Sequence, residues 1–195
     1  MSVELRWEAD GHLRPGRYQV DLEEAESLLV HDPQFAGSPT RVDIWNGLER
    51  YLVRFWSLEN DYQSVLGGRS LVDRLWLGGS FVSSRFDPNN IDLTVFIDHE
   101  AESLLRNREG AGWLTKAFER KKALEEFRVS PLPVRYHKVV SPFRLKELSQ
   151  VERDYLAGRG GWDDWWQRRR ASDHVKDGPT VETVRPVRGY LEVTL

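Results

Sequence analysis

Two short motifs constrain the fold of this chain more than any other feature of its sequence. The glycine–serine motif, Leu77-Gly78-Gly79-Ser80, follows an apolar run and predicts a strand that stops in a tight turn. The acidic motif, Asn90-Ile91-Asp92-Leu93, begins after nine intervening residues, where β-branched and aromatic residues alternate and predict a second strand. Because residues two apart on a strand share one face, the side chains of Asn90 and Asp92 should leave the sheet together.

This pairing of a glycine turn with an acidic strand is typical of sites for phosphate transfer. Glycine lets the backbone approach a polyphosphate closely, and exposed N–H groups and a hydroxyl can then hold it. A carboxylate on the neighbouring strand can bind Mg²⁺, which bridges the phosphate oxygens. A glycine turn alone would be weak support, since tight turns use these residues routinely, but the turn, the spacing and the strand together are more specific.

The two motifs resemble the signature of the nucleotidyltransferase superfamily, which includes DNA polymerase beta, kanamycin nucleotidyltransferase and small bacterial nucleotidyltransferases. In that signature an apolar residue, Gly, and Gly or Ser precede a spacer and an Asp-apolar-Asp-apolar strand. Segments near Arg14-Pro15-Gly16 and at residues 189–193 are similar, more weakly, to an uncharacterised bacterial branch of the superfamily. The resemblance implies an α/β fold with a small mixed sheet backed by helices.

The resemblance also implies roles for individual residues. Gly79 and Ser80 would bind the terminal phosphates of a nucleoside triphosphate, and Asp92 would be the catalytic, magnesium-binding carboxylate. Asn90 stands where the family has its first aspartate, so it can offer a metal an oxygen but no negative charge. The family's third acid has no counterpart on the strand predicted near residues 132–140, where His137 could act as a base or be an ordinary strand histidine.

Two functions of different classes follow from these residues. The first is an enzyme that transfers a nucleotide from a nucleoside triphosphate to a hydroxyl on RNA, protein or a small molecule. The second is a catalytically inactive relative that binds nucleotide or a protein partner, as such relatives do in bacterial toxin–antitoxin and defence modules. Asn90 and the missing third acid favour the second, whereas the glycine–serine motif and Asp92 keep the first open.

Composition excludes several other classes of protein. The formal net charge of −3 offers no broad basic surface to nucleic acid. The chain has no cysteine, which excludes disulfides, thiolate metal ligands and a cysteine nucleophile. No apolar run approaches the roughly 18 residues of a membrane helix, so we expect a cytoplasmic protein without membrane contact. The mixed charges of residues 119–122 are most simply a solvated helix face.

A tryptophan cluster near the C-terminus has two interpretations. Trp162, Trp165 and Trp166 fall at helical spacing and precede three arginines at 168–170. Aromatic rings can stack on bases while arginines contact phosphates, which would indicate nucleic-acid binding. Because acidic residues interrupt the cluster, we favour the alternative that the tryptophans pack a C-terminal helix onto the core.

We expect one domain over residues 1–195, with an N-terminal arm, a core and a C-terminal extension at 1–37, 38–140 and 141–195. The arm should be irregular with one short helix, and both end segments should wrap the core. A capping-box pattern at Ser149 predicts a helix that ends at the glycines of 158–161. The remaining predictions are strands near 73–78, 91–97, 132–140 and 189–195, and helices near 40–57 and 113–127.

Overall fold

Strands β2 (Val72–Gly78) and β3 (Ile91–Asp98) lie side by side, as the two motifs predicted, and run antiparallel. The computed structural model describes residues 3–144, 146–170 and 178–195, so residues 171–177 of the predicted C-terminal extension lie outside the described part. The described residues form a mixed α/β fold, which confirms the predicted class. The other strands are β1 (Gly16–Asp21), β4 (Val129–Tyr136) and β5 (Gly189–Thr194).

The sheet has the strand order β1-β5-β2-β3-β4 and is mixed. The outer pairs, β1 with β5 and β3 with β4, are parallel, whereas β2 is antiparallel to both of its neighbours. Strand β1 comes from the segment predicted to be an irregular arm, so that prediction was wrong at this point. The strand that pairs with β1 is β5, which is distant in sequence, and the residues around β1 themselves indicate only the turn that precedes it.

Strand β4 begins at Val129, three residues before its predicted start. The prediction missed these residues because Pro131 and Pro133 are unfavourable in the interior of a sheet. Proline cannot donate to a strand ladder, but it is tolerated in an edge strand, where the missing N–H faces solvent. β4 is the edge strand next to β3, with Ile91 paired to Val129 and Asp92 paired to Ser130. The corrected register decides which residue of β4 lies next to the acidic motif.

Helices cover both faces of the sheet. The short helix expected near the N-terminus is present, and the side chain of Asp21 caps it by accepting a hydrogen bond from the Glu24 N–H. The helix predicted at 113–127 is shorter than expected and covers only Arg120–Phe127, since residues 114–118 form turns. None of the helices in the described chain has both the length and the apolar character needed to cross a bilayer. The helices are α1 (Leu22–Leu29), α2 (Arg41–Asp61), α3 (Gln63–Leu66), α4 (His99–Leu105), α5 (Arg120–Phe127) and α6 (Gln150–Gln167).

The two faces of the sheet have separate apolar cores. The larger core buries the apolar residues of α1, α2 and α5 against one face. The smaller core lies on the other face, where α6 contributes Tyr155 and Trp166. Its strand residues are Trp76, Phe96, Val134 and Tyr190. Asp92 and Ser130 alternate onto this second face, so α6 packs on the face that carries the candidate site.

Helix α6 continues through the glycines of 158–161, contrary to the prediction that they would end it. Its start is fixed by the predicted capping box, in which Ser149 and Glu152 cap each other's backbone. Tyr155 and Trp166 are buried on either side of the glycines. Packing at both ends therefore outweighs the poor helix propensity between them.

The packing of α2 against α5 depends on the absence of a side chain at Gly47. A Cβ atom there would lie 2.0 Å from the Phe127 carbonyl oxygen. We expect Gly47→Ala to lower the free energy of unfolding by about 1–3 kcal/mol, because the two elements must move apart. Urea unfolding measures the change. The control is Gly112→Ala, where a Cβ meets nothing within 4 Å; equal stability of the two variants would contradict the observed packing.

The glycines inside α6 generate a prediction of opposite sign. A Cβ added at Gly160 meets nothing within 4 Å. Alanine has a higher helix propensity than glycine, so Gly160→Ala should raise the free energy of unfolding by about 0.5–1 kcal/mol. The matched control is Gly68→Ala, which places alanine at a φ of +85° and should destabilise the fold. If Gly160→Ala left stability unchanged, the helix would not extend through this segment.

Candidate functional site

The glycine–serine motif and the acidic motif meet where β2 ends. Gly78 pairs with Asp92 across the antiparallel ladder, and Gly79 follows with a φ of +71° at the start of a 3-10 turn. A Cβ at Gly79 would lie 2.7 Å from the Asp92 Oδ2 atom. Glycine is therefore required twice, for its backbone conformation and for the close approach of the carboxylate. Ser80 lies in the same turn and is partly exposed.

The other side of the Asp92 carboxylate faces hydrogen-bond donors. Asn90 donates a hydrogen bond from Nδ2 to the Asp92 Oδ1 atom at 3.1 Å, which confirms that the two side chains share a face. Arg120, at the start of α5, places its Nη2 atom 3.9 Å from the same Oδ1 atom. The Arg120 Nε atom also donates to the buried Ser130 hydroxyl at 2.7 Å. Asp92 is thus partly neutralised by a cation.

Sequence reasoning missed both Ser130 and Arg120. The strand was predicted to begin near residue 132, which excluded Ser130. The third acid was therefore expected near the end of β4 that lies away from Asp92. In the observed register the residue beside Asp92 is a serine, which brings no charge. Arg120 belongs to the charge run interpreted as a solvated helix face. The parallel register of β4 with β3 would have identified Ser130, whereas Arg120 lies outside both strands and is located only by its contacts.

Asp98 and the histidine considered from the sequence, His137, have separate structural roles. Asp98 caps α4 by accepting a hydrogen bond from the Ala101 N–H at 2.8 Å. The ring of His137 packs against that of His99 in a tilted arrangement, with a centroid separation of 4.3 Å. Burial lowers the pKa of His137, and the neighbouring His99 lowers it further. Both side chains lie near the C-terminal ends of β3 and β4, away from Asp92, so neither completes a catalytic set with it.

The chain after Ser80 is held in place by one buried guanidinium group, that of Arg41. Its Nη1 atom donates to the carbonyls of Leu29 and Phe81 at 2.6 and 2.9 Å. Its Nη2 atom donates to the carbonyls of Ser83 and Arg85 at 3.0 and 2.6 Å. Burial lowers the pKa of Arg41 to about 10, so the group remains protonated at neutral pH. These bonds fix the backbone next to the glycine–serine motif.

Helix α6 covers the inner side of the site. A Cβ at Gly78 would lie 2.3 Å from the Trp166 ring, whose Nε1 atom donates to the Thr94 hydroxyl at 2.8 Å. Trp166 therefore packs the C-terminal helix onto the sheet, as one interpretation of the tryptophan cluster expected, and its buried ring is not exposed for stacking on a base. The Trp166 carbonyl accepts a hydrogen bond from Arg188 Nε at 2.9 Å.

The candidate site lies apart from two surface cavities in the described part of the chain. Two cavities, of ≈ 310 and ≈ 450 Å³, lie near Arg69, and neither contains a residue of the two motifs. Arg69 contacts Asp98, at the opposite end of β3 from Asp92. Because neither of these two cavities contains a predicted site residue, the candidate site is defined by the chemistry of its side chains.

The residues around Asp92 do not fit the magnesium site that the family resemblance implies. Mg²⁺ requires oxygen ligands in near-octahedral geometry. Here one carboxylate oxygen faces the amide nitrogen of Asn90 and the guanidinium of Arg120, and Ser130 contributes no charge. In the described part of the chain, no three His, Cys, Asp or Glu side chains are grouped so as to hold a metal ion. We therefore propose no reaction step that uses a metal ion at Asp92.

The variant Asn90→Asp tests this conclusion about the metal. It replaces a hydrogen bond of 3.1 Å with a contact between two carboxylates, so we expect the free energy of unfolding to fall by about 1–3 kcal/mol. Mg²⁺ should then raise the melting temperature of the variant but not that of the wild-type protein. The control is Asn89→Asp, which adds the same charge at the preceding, exposed residue. A wild-type protein stabilised by Mg²⁺ as strongly as the variant would contradict the prediction.

Comparison with known proteins identifies the family of the chain without assigning its activity. Comparisons with curated proteins and with solved structures gave no significant match. A family model described as a family of unknown function, DUF6932, matches residues 5–193, which is nearly the entire chain. The protein therefore belongs to the family DUF6932.

Proposed function

We propose that this protein binds a nucleoside triphosphate at the surface formed by Gly79, Ser80 and Asp92, and that it does not catalyse nucleotide transfer. The observation that carries the proposal is the close approach of the glycine turn to Asp92. That approach unites the two halves of a nucleotidyltransferase-like motif. The same contact explains why a glycine occupies position 79.

Binding is supported by the groups that the turn leaves accessible. Gly79 and Ser80 start a 3-10 turn, whose first N–H groups have no partner within the turn and can meet phosphate oxygens. Within the part of the chain that the structure describes, the hydroxyl of Ser80 makes no hydrogen bond. Arg41 holds the following backbone, so the turn is ordered before a ligand arrives. An ordered site binds with a smaller loss of conformational entropy.

The loss of transfer chemistry is supported by two neutral side chains next to Asp92. The resemblance implies an aspartate where this chain has Asn90 and a third acid on a later strand, and the residue of β4 that pairs with Asp92 is Ser130. Attack by a hydroxyl requires concentrated negative charge to organise metal ions and a base to accept the proton. Asp92 alone supplies neither this concentration of negative charge nor a separate base for the proton. The proposal therefore corresponds to the second sequence hypothesis, in which a catalytically inactive protein is a nucleotide- or protein-binding component of a bacterial toxin–antitoxin or defence module.

Calorimetric titration with ATP and with GTP tests the proposal. We expect saturable binding of at least one nucleotide, and Ser80→Ala should weaken it several-fold because a hydroxyl contact to phosphate is lost. Incubation with the bound nucleotide should release no pyrophosphate.

The matched control is Ser84→Ala, which removes a hydroxyl from the same loop at an exposed position. Its affinity should equal that of the wild-type protein. The absence of saturable binding of either nucleotide would overturn the proposal, as would pyrophosphate release that is abolished by Asp92→Ala.

A further inference from the structure

We infer that Arg120 takes the place of a metal ion at this site, so that the protein binds the polyphosphate of its ligand without Mg²⁺. The inference rests on the proposed nucleotide site and specifies how that site would hold its ligand. It follows from two features of the described residues: the charge around Asp92 and the geometry of Arg120.

The charge around Asp92 differs from that of a two-metal site. A metal site gathers carboxylates, and their negative field attracts divalent cations. Here Asp92 is accompanied by a neutral amide, a neutral hydroxyl and the guanidinium of Arg120. Because Arg120 balances the charge of Asp92, the negative field that would attract a divalent cation is absent, and the exposed guanidinium can meet an anion directly.

Arg120 is placed to bridge Asp92 and a phosphate. Its Nε atom is fixed on the Ser130 hydroxyl at 2.7 Å, which orients the plane of the guanidinium. Its Nη2 atom lies 3.9 Å from Asp92, and 65% of its side chain is exposed, so further N–H groups remain accessible to a ligand. A guanidinium has five donors in a rigid fork that matches phosphate oxygens. It can therefore neutralise the carboxylate and hold phosphate together, which is what a bridging metal ion does.

The test is calorimetric titration of the full chain with ATP, GTP and inorganic tripolyphosphate, each in EDTA and again in excess Mg²⁺. We expect binding in EDTA that Mg²⁺ does not strengthen.

Arg120→Gln should weaken binding in EDTA about tenfold, as for the loss of a charge-assisted hydrogen bond. The control is Lys121→Gln, which removes the same charge one residue later on α5 from a side chain that is 89% exposed. It should leave the affinity unchanged within about twofold. Arg120→Lys, which keeps the charge but loses the fork, should bind with intermediate affinity.

The outcomes separate this inference from the proposed function. Binding that requires Mg²⁺ would overturn the inference and leave the proposed nucleotide site standing. Equal weakening by Arg120→Gln and Lys121→Gln would also overturn it, because only the net charge of the surface would then matter. No binding of any probe in either buffer would overturn both. Thermal unfolding of each variant shows whether the fold is intact, and the conservative Arg120→Lys serves as the test if Arg120→Gln is destabilised.

Discussion

The antiparallel pairing of β2 with β3 is the interaction on which the rest of this structure depends. It places Gly78 beside Asp92, and it also decides which face of each strand meets α2 and which meets α6. Because side chains alternate along a strand, a shift of one residue would exchange the two faces and separate the motifs. The large apolar residues on both faces oppose such a shift, so the register that builds the core also builds the site.

The parts of the fold that could be predicted are those whose signals are local. The alternation of residues 91–98 identified β3, and a regular apolar stripe identified α2, because each element buries a face that its own sequence specifies. The glycine–serine motif was similarly local, since the backbone at Gly79 adopts a conformation that favours glycine. These elements were sufficient to bring Gly79, Ser80, Asn90 and Asp92 together in the prediction.

The parts that were missed depend on distant contacts. Strand β1 exists because β5 is available to pair with it, and the glycines of α6 are helical because Tyr155 and Trp166 are buried against the sheet. The prolines of β4 obscured a register that only its pairing with β3 reveals. That register mattered most for function, because it brings Ser130 and Arg120 to Asp92 and so changes the charge of the candidate site. No local pattern around residue 120 distinguishes a ligand-facing arginine from a solvated one.

The position of β5 in the sheet has a consequence for how the chain is made. β5 lies between β1 and β2, yet the ribosome synthesises it after every other strand. Until it emerges, β1 has no partner and β2 has an open edge, so a nascent chain exposes the backbone groups that later seal the sheet. The sheet therefore closes only after β5 has emerged, and the open edge of β2 is a place where a chaperone could bind the growing chain.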